Sequence, residues 1–269
     1  MGISPGYLPK EEEDQNILWS ETGKGGVMSL SIKEQSEEVE FSLQSEFHFR
    51  CDEGLPCFTQ CCRDVNIYLT PYDVLRLRRA LKMGSTEFLD KYTHRFLAKR
   101  TNIPVVQLLM NPKTLSCPFV EDRGCRVYND RPWACRMYPL DPLTPNGSSY
   151  RLVAGAQHCL GLREPQRWTV EKWLQAQGVA PYERMENIYQ ETLPKEFRGG
   201  KSLDPSIGKI LFLAYDLDQF LNMINGKSFR KLYQIDEATL EKVKEDDEAL
   251  LRLACYYIRN QISQLIEII

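Results

Sequence analysis

The sequence predicts an α+β protein, predominantly helical with short strands. Its cysteine-rich, metal-binding half is expected to be wrapped by loops, and its C-terminal half to be helical. Three observations predict this. Eight of the nine cysteines lie between positions 51 and 159. Apolar residues alternate in short stretches before and between them, as in half-buried strands. From about position 166 onward, capped apolar stretches of helical period dominate.

Taken in order, residues 1–40 are polar and non-periodic and read as a flexible N-terminal arm. Residues 41–165 form the expected Cys-rich domain. Phe41, Leu43, Phe47 and Phe49 occupy odd positions, which predicts one or two short strands leading into Cys51. Val65, Ile67 and Leu69 alternate again. Thr70-Pro71-Tyr72-Asp73 starts a helix: Thr70 as N-cap, Pro71 in the first turn, Asp73 near the positive end of the dipole. That helix carries Val74, Leu75, Leu77 and Leu81 and stops at Gly84. Ser85 is expected to cap a second helix bearing Phe88, Leu89 and Tyr92, with His94 on its basic face. Residues 100–116 read as a strand and turn, and 139–149, rich in Pro, Gly and Ser, as a loop. Residues 166–269 form the helical region. Thr169 caps a helix ending at Gly178, Pro181 opens the next, and Asp204-Pro205 starts one running through Leu211, Leu213, Leu217, Phe220 and Leu221. A last pair begins near Glu237 and Asp247.

The chain has 269 residues, 42% hydrophobic and 26% charged, with a formal net charge of −3. That length can bury a core without covalent staples. The interleaved charges argue against a nucleic-acid or anionic-membrane surface. The first residues show neither a basic stretch followed by an apolar one nor a myristoylation pattern, and no apolar run reaches the ~18 residues of a membrane span. The expected location is therefore the reducing cytoplasm, where clustered cysteines bind metals or catalyse rather than pair as disulfides.

The cysteines form two groups, Cys51-x5-Cys57-x3-Cys61-Cys62 and Cys117-x7-Cys125-x9-Cys135, with Cys159 following beside His158. Thiolates bind soft metals, and about four must converge on one zinc ion or one iron–sulfur cluster. Short gaps let one tight loop present two ligands. Cys61 and Cys62 are adjacent, and neighbouring side chains on extended backbone point apart, so one metal atom does not suit both. Either they serve two sites, or one is a ligand and the other is core or redox-active. Rival readings are a disulfide framework and simple core packing. The latter suits Cys255, alone on an apolar helix.

At this point several motif words resemble one family. Phe49-Arg50-Cys51, Cys57, Cys61-Cys62-Arg63 and Leu69-Thr70-Pro71-Tyr72-Asp73-Val74 resemble the opening of the YkgJ-type cysteine-cluster family (CxxCxxCC), described as zinc- or iron-chelating. Cys117-Pro118-Phe119, Gly124-Cys125-Arg126-Val127-Tyr128 and Arg131-Pro132-Trp133-Ala134-Cys135-Arg136-Met137-Tyr138-Pro139 resemble its second half. The first gaps here are x5 and x3 rather than x2 and x2, which sets Cys51 apart from the family's first ligand position. The resemblance implies a metal at Cys51, Cys57, Cys61, Cys62, Cys117, Cys125, Cys135 and Cys159, with an iron–sulfur cluster preferred to zinc. A relative by this motif, the flagellin lysine methylase, is linked to an iron–sulfur cluster and to methyl transfer to protein lysines. No Gly-rich loop here reads as a site for S-adenosylmethionine.

Other residues have two readings each. His158 suits a mixed Cys/His ligand set or a polar loop, whereas His48 is expected to turn away. Arg50, Arg63, Arg126 and Arg136 each flank a cysteine and either offset thiolate charge or pair with carboxylates. Arg131-Pro132-Trp133 is expected to aim Cys135. Tyr128 and Tyr138 shield the site or fill core. No Ser-His-Asp, HExxH or phosphate-loop pattern appears, and no catalytic residue is assigned. The expectation is a cytoplasmic protein carrying a 4Fe–4S cluster in a redox or accessory role beside another protein. The alternatives are a zinc-stabilised interaction module and a cluster-dependent methyl-transfer enzyme.

Overall fold

The computed structural model describes residues 39–144, 147–155, 157–194, 197, 201–233 and 235–266; the expected arm at 1–40 lies almost wholly outside them. The alternation before Cys51 becomes β1 (Glu46–His48), with Phe47 buried and its neighbours exposed. Phe41 makes only an isolated bridge to Tyr150. The Val65–Leu69 stretch runs extended along a neighbouring strand, with Leu69 N–H donating to Val106 O at 2.8 Å. Thr70 caps α1 (Pro71–Ala80) in a reciprocal capping box with Asp73.

Helix α2 (Ser85–Tyr92) differs from expectation at both ends. Gly84 is the residue before the helix, and Ser85 is already helical. The Ser85 hydroxyl turns away, donating to Asp216 Oδ1 at 3.0 Å and accepting from Asp218 N–H at 2.7 Å. At the other end Thr93 Oγ1 donates to Leu89 O at 2.6 Å and the chain extends. His94 therefore sits not on a helix but in β2 (Thr93–Leu97), exposed, paired antiparallel with β3 (Pro104–Leu108). The β-branched pair Val105-Val106 favours that pairing.

The two-residue strands β4 (Val120–Glu121) and β5 (Gly124–Cys125) form a tight hairpin. Cys135 rides on α3 (Trp133–Met137), a short helix with no capping signal in the sequence. The 139–149 region is not simply a loop. Its start forms β6 (Leu140–Pro142), which pairs with β7 (Tyr150–Leu152), and an Asp141–Arg151 ion pair at 3.1 Å crosses the ladder. Pro142 ends β6, and Gly147, Ser148 and Ser149 lie in the connection between the strands.

β8 (Arg167–Thr169) pairs with β1 in the register Phe47–Trp168. It leads through the Thr169 cap into α4 (Val170–Gln177), which ends at Gly178 with φ 61° as expected. α5 (Ala180–Gln190) follows, with Pro181 in its first turn. The helix expected across 204–221 is broken. α6 (Pro205–Leu211) tightens into a 3-10 turn at Phe212–Ala214, and Asp216 starts α7 (Leu217–Asn225) afresh by accepting from Gln219 N–H at 3.2 Å. α8 (Lys227–Tyr233) adds to the expected helices, whereas α9 (Glu237–Glu245) and α10 (Asp247–Ile266) fall where expected.

The result is mixed α+β with short two-stranded ladders among the described residues. One buried apolar cluster passes through both halves. Trp173 of α4 stands edge-on to Phe47 and Phe49 at 6.1 and 5.2 Å, and Tyr72 of α1 meets Tyr182 of α5 at 5.0 Å. Tyr72 Oη donates to Glu248 of α10 at 2.7 Å, while Arg78 and Arg79 both pair with Asp247. Among the described residues no helix is long and apolar enough to cross a membrane.

Candidate metal centre

Turns, short ladders and one helical turn deliver the cysteines. All nine are free thiols; Cys51 and Cys61 are exposed, Cys57, Cys62, Cys117, Cys125 and Cys135 half-buried, and Cys159 and Cys255 buried. Cys255 lies in α10 among core residues, as expected. Cys61 and Cys62 occupy a 3-10 turn (Gln60–Cys62) rather than extended chain. Three residues per turn set adjacent side chains about 120° apart, yet the two thiols turn back far enough to hydrogen-bond to each other.

Two neighbourhoods result. Around the first, Arg50 N–H donates to Gly161 O at 3.1 Å, which lays the Cys51 strand end against the turn that Cys159 opens. Gln60 N–H donates to Cys57 O at 3.0 Å and folds Cys57 back toward Cys61. The Cys51 thiol is pushed up to about 11, by burial and then by the Cys61, Cys159 and Cys57 sulfurs. Tyr138 shares this space: burial and a hydrogen bond with Cys159 raise its phenol well above the ordinary range, and Cys61 and Cys51 add to the shift.

Around the second, Cys117 N–H donates to Cys62 O at 2.8 Å beside an Arg63–Ser116 bridge. Val120 N–H returns to Cys117 O at 3.2 Å, and Val120 pairs with Cys125. Burial raises Cys117 and Cys125, with Cys125 adding to the first and Glu121 to the second, while backbone N–H groups of Phe119 and Val120 hold Cys117 down and that of Val127 holds Cys125 down. Cys135 is driven up by burial, then by Cys117 and Cys125. At the junction, a hydrogen bond between the Cys61 and Cys62 thiols holds Cys61 down near 7 and pushes Cys62 up. Cys135 and Cys117 raise Cys62 further.

Asp73 aims Cys135. Its Oδ2 accepts from Thr70 N–H at 2.8 Å, and its Oδ1 accepts from Trp133 N–H at 2.7 Å, the first amide of α3. Burial raises this carboxyl to about 6 despite those hydrogen bonds. The sequence reading treated Asp73 as a helix-start residue only; the Thr-x-x-Asp spacing signals the cap but not the second helix it holds. Arg131, expected only as part of the turn that aims Cys135, has a further part here. It lies over Tyr128 at 3.8 Å and lowers the Cys125 and Cys135 thiols by its charge.

The flanking arginines divide. Arg50 pairs with Asp52 and Glu164 at 2.9 and 3.0 Å. Arg126 faces the thiols, lowering Cys117 and Cys125. Arg136 is buried and donates to the carbonyls of Arg131, Gln177 and Asn129. Tyr128 is 58% exposed and does not shield the cysteines, whereas Tyr138 lies among them. His48 and His158 are both exposed.

Among the described residues no three His, Cys, Asp or Glu side chains converge closely enough to hold a metal ion as they stand. The thiols share neighbourhoods without forming a closed cage. The donor set nonetheless fits a soft metal, because it is all sulfur. The ladders, turns and helical cover thus define a cysteine-cluster domain with a helical extension. Residues 50–160 match the family model CxxCxxCC, "Putative zinc- or iron-chelating domain", the family that its motif words resemble. No curated protein and no solved structure matches the chain significantly.

Proposed function

We propose that this protein carries an iron–sulfur cluster of the 4Fe–4S type on these cysteines and serves in a redox or accessory role in the cytoplasm, docking onto another protein. The loops of the Cys-rich half wrap the metal and the C-terminal helices back them. The observation that carries this reading is eight free thiols within one cysteine-rich segment, with positive charge or backbone donors aimed at Cys117, Cys125 and Cys135. Arg126 and Arg131 lower the thiols they face, and the amides of Phe119, Val120 and Val127 donate to sulfur. Donors and cations of this kind stabilise thiolate and raise a cluster's potential. A bound cluster supplies a one-electron couple. The chain's own residues hold it, and the exposed Cys51 and Cys61 bring it to the surface that a partner must approach.

The test is metal and acid-labile sulfide analysis, with a visible spectrum, on protein purified without oxygen. Iron and sulfide in equal amounts, about four of each per filled cluster, with broad visible absorption, are expected. Stoichiometric zinc without sulfide would replace the redox reading with a zinc-stabilised interaction module. Saturable binding of S-adenosylmethionine to the iron-loaded protein would instead favour the methyl-transfer enzyme.

A further inference from the structure

We infer that the open edge of β2 takes an extended, acidic segment of a partner protein as an added strand. The inference rests on the docking part of the reading above and not on which metal the cysteines hold. Among the described residues β2 pairs with β3 and with no other strand. Its central residues His94, Arg95 and Phe96 are all exposed. Neighbouring side chains on a strand point to opposite faces, so three exposed residues in succession leave both faces uncovered. The edge is uncovered too. Ala98 N–H donates to Ile103 O at 2.9 Å, and Leu109 N–H donates to Tyr92 O at 2.8 Å. Antiparallel ladders bond at alternate residues, so His94 and Phe96 bond to β3 while Arg95 and Leu97 turn their N–H and C=O outward. Neither has a backbone partner on that side among the described residues.

Charge selects the occupant. Positions 91–120 carry five Lys or Arg and no Asp or Glu, in a chain whose formal net charge is −3. Lys91, Arg95 and Arg100 are exposed, and Asp90, which pairs with Arg95, lies just before the stretch. A second copy of β2 would set like charges opposite one another, which is how edge strands avoid pairing with themselves. The same charge favours an acidic strand. His94 and Phe96 share one face, their rings 5.1 Å apart, and Arg95 lies on the other. The matching strand therefore alternates apolar and acidic residues, with main-chain bonds to Arg95 and Leu97.

Two routes join this edge to the cysteines. Arg126, next to Cys125, donates from Nη2 to Tyr92 Oη at 3.4 Å, and Tyr92 is the last residue of α2 before β2. On the other side β3 leads through Leu109, 45% exposed, toward Cys117, whose N–H donates to Cys62 O at 2.8 Å. A partner added at β2 is held beside the metal-binding segment.

Fluorescence anisotropy of the full chain with a peptide of alternating glutamate and valine tests this. Saturable binding is expected, at least about tenfold tighter than that of a lysine–valine peptide. The glutamate–valine peptide N-methylated throughout keeps the charge but loses its donors, and it should also bind at least about tenfold more weakly. Amide exchange at Arg95 and Leu97 should slow on binding, with little change at His94 and Phe96. Arg95→Glu should weaken binding by at least about tenfold. Equal binding of the N-methylated peptide, or by the Arg95→Glu protein, overturns the inference. Should that variant fail to fold by circular dichroism, the peptide comparisons on wild type decide. Peptide that binds without slowing those two amides, and that a single-stranded oligonucleotide displaces, marks a patch for polyanions and overturns it as well. The two readings fail separately. Protein that takes up no metal yet binds the peptide refutes the cluster and upholds the docking edge, whereas metal-loaded protein that ignores the peptide refutes the edge alone.

Discussion

Glu186 is 8% exposed in α5; its Oε1 accepts from Gln190 Nε2 at 2.6 Å, and its Oε2 has no partner among the described atoms. Burial pushes this carboxyl up to about 7. Its folded value therefore lies above its unfolded one, and the folded state keeps a proton that the unfolded chain releases. The stability this confers is complete below about pH 4.5 and is lost as pH rises through about 7. A shift of this size corresponds to roughly 3 kcal/mol. Glu186→Gln, which mimics the protonated form, should gain stability over wild type at pH 8 and little at pH 5, read from urea midpoints at both. Equal differences at the two values would show that Glu186 does not titrate with unfolding. Such a residue is not legible from sequence: Glu186 sits in an ordinary amphipathic helix, and the packing of α1 and α10 against α5 removes it from water.

At the scale of elements, legibility follows the range of the interaction. Thr70, Asp73, Thr169, Gly178 and Asp204 signal helix ends through contacts three residues away or less, and each stands where expected. The helices α3 and α8, and the break between α6 and α7, depend on distant partners and were missed. So was the end of α2, where a threonine back-bond and the β2–β3 pairing override the helical pattern. Helix α3 shows the cost of a distant partner. Asp73→Ala removes the acceptor for Trp133 N–H together with half of the capping box. It should cost about 3 kcal/mol, since each buried amide or hydroxyl left unpaired costs about 1–3 kcal/mol. It should also release metal held through Cys135 faster. Thr70→Ala leaves the Trp133 bond in place and should cost only about 1 kcal/mol, without altering metal release. Calorimetric midpoints and chelator kinetics on the two variants separate capping from ligand placement. Identical release rates would remove Asp73 from the site's support.

For the whole molecule, the family match ends at residue 160, yet the packing does not. Trp173 is 7% exposed, and it touches Phe47, Phe49 and Trp168 and donates to Met137 O at 3.4 Å. It thus backs the strand before Cys51 and the helix carrying Cys135 at once. Trp173→Ala should destabilise by about 3–5 kcal/mol and should speed metal loss from both groups of cysteines. Midpoints and release rates check this together. Unchanged release would show that the helical region stabilises the chain without supporting the cysteines. The motif words made the eight cysteines legible as a set. Their sorting into two neighbourhoods was open, because it depends on a 3-10 turn and on backbone bonds between segments far apart in sequence.

The pairing of β1 with β8 bears on how the protein is made. Trp168 Nε1 donates to Phe49 O across 119 residues of chain. On a ribosome, the strand that leads into Cys51 therefore waits for most of the cysteine half to be synthesised before its partner emerges. Cys62, Cys117, Cys125 and Cys135 are all outside the exit tunnel before Cys159 is. Seven of the eight clustered cysteines can therefore emerge before this pairing forms, and Cys159 is the last of them. Nascent chains arrested soon after Cys135 has emerged would lack Cys159 and the β1–β8 pairing together.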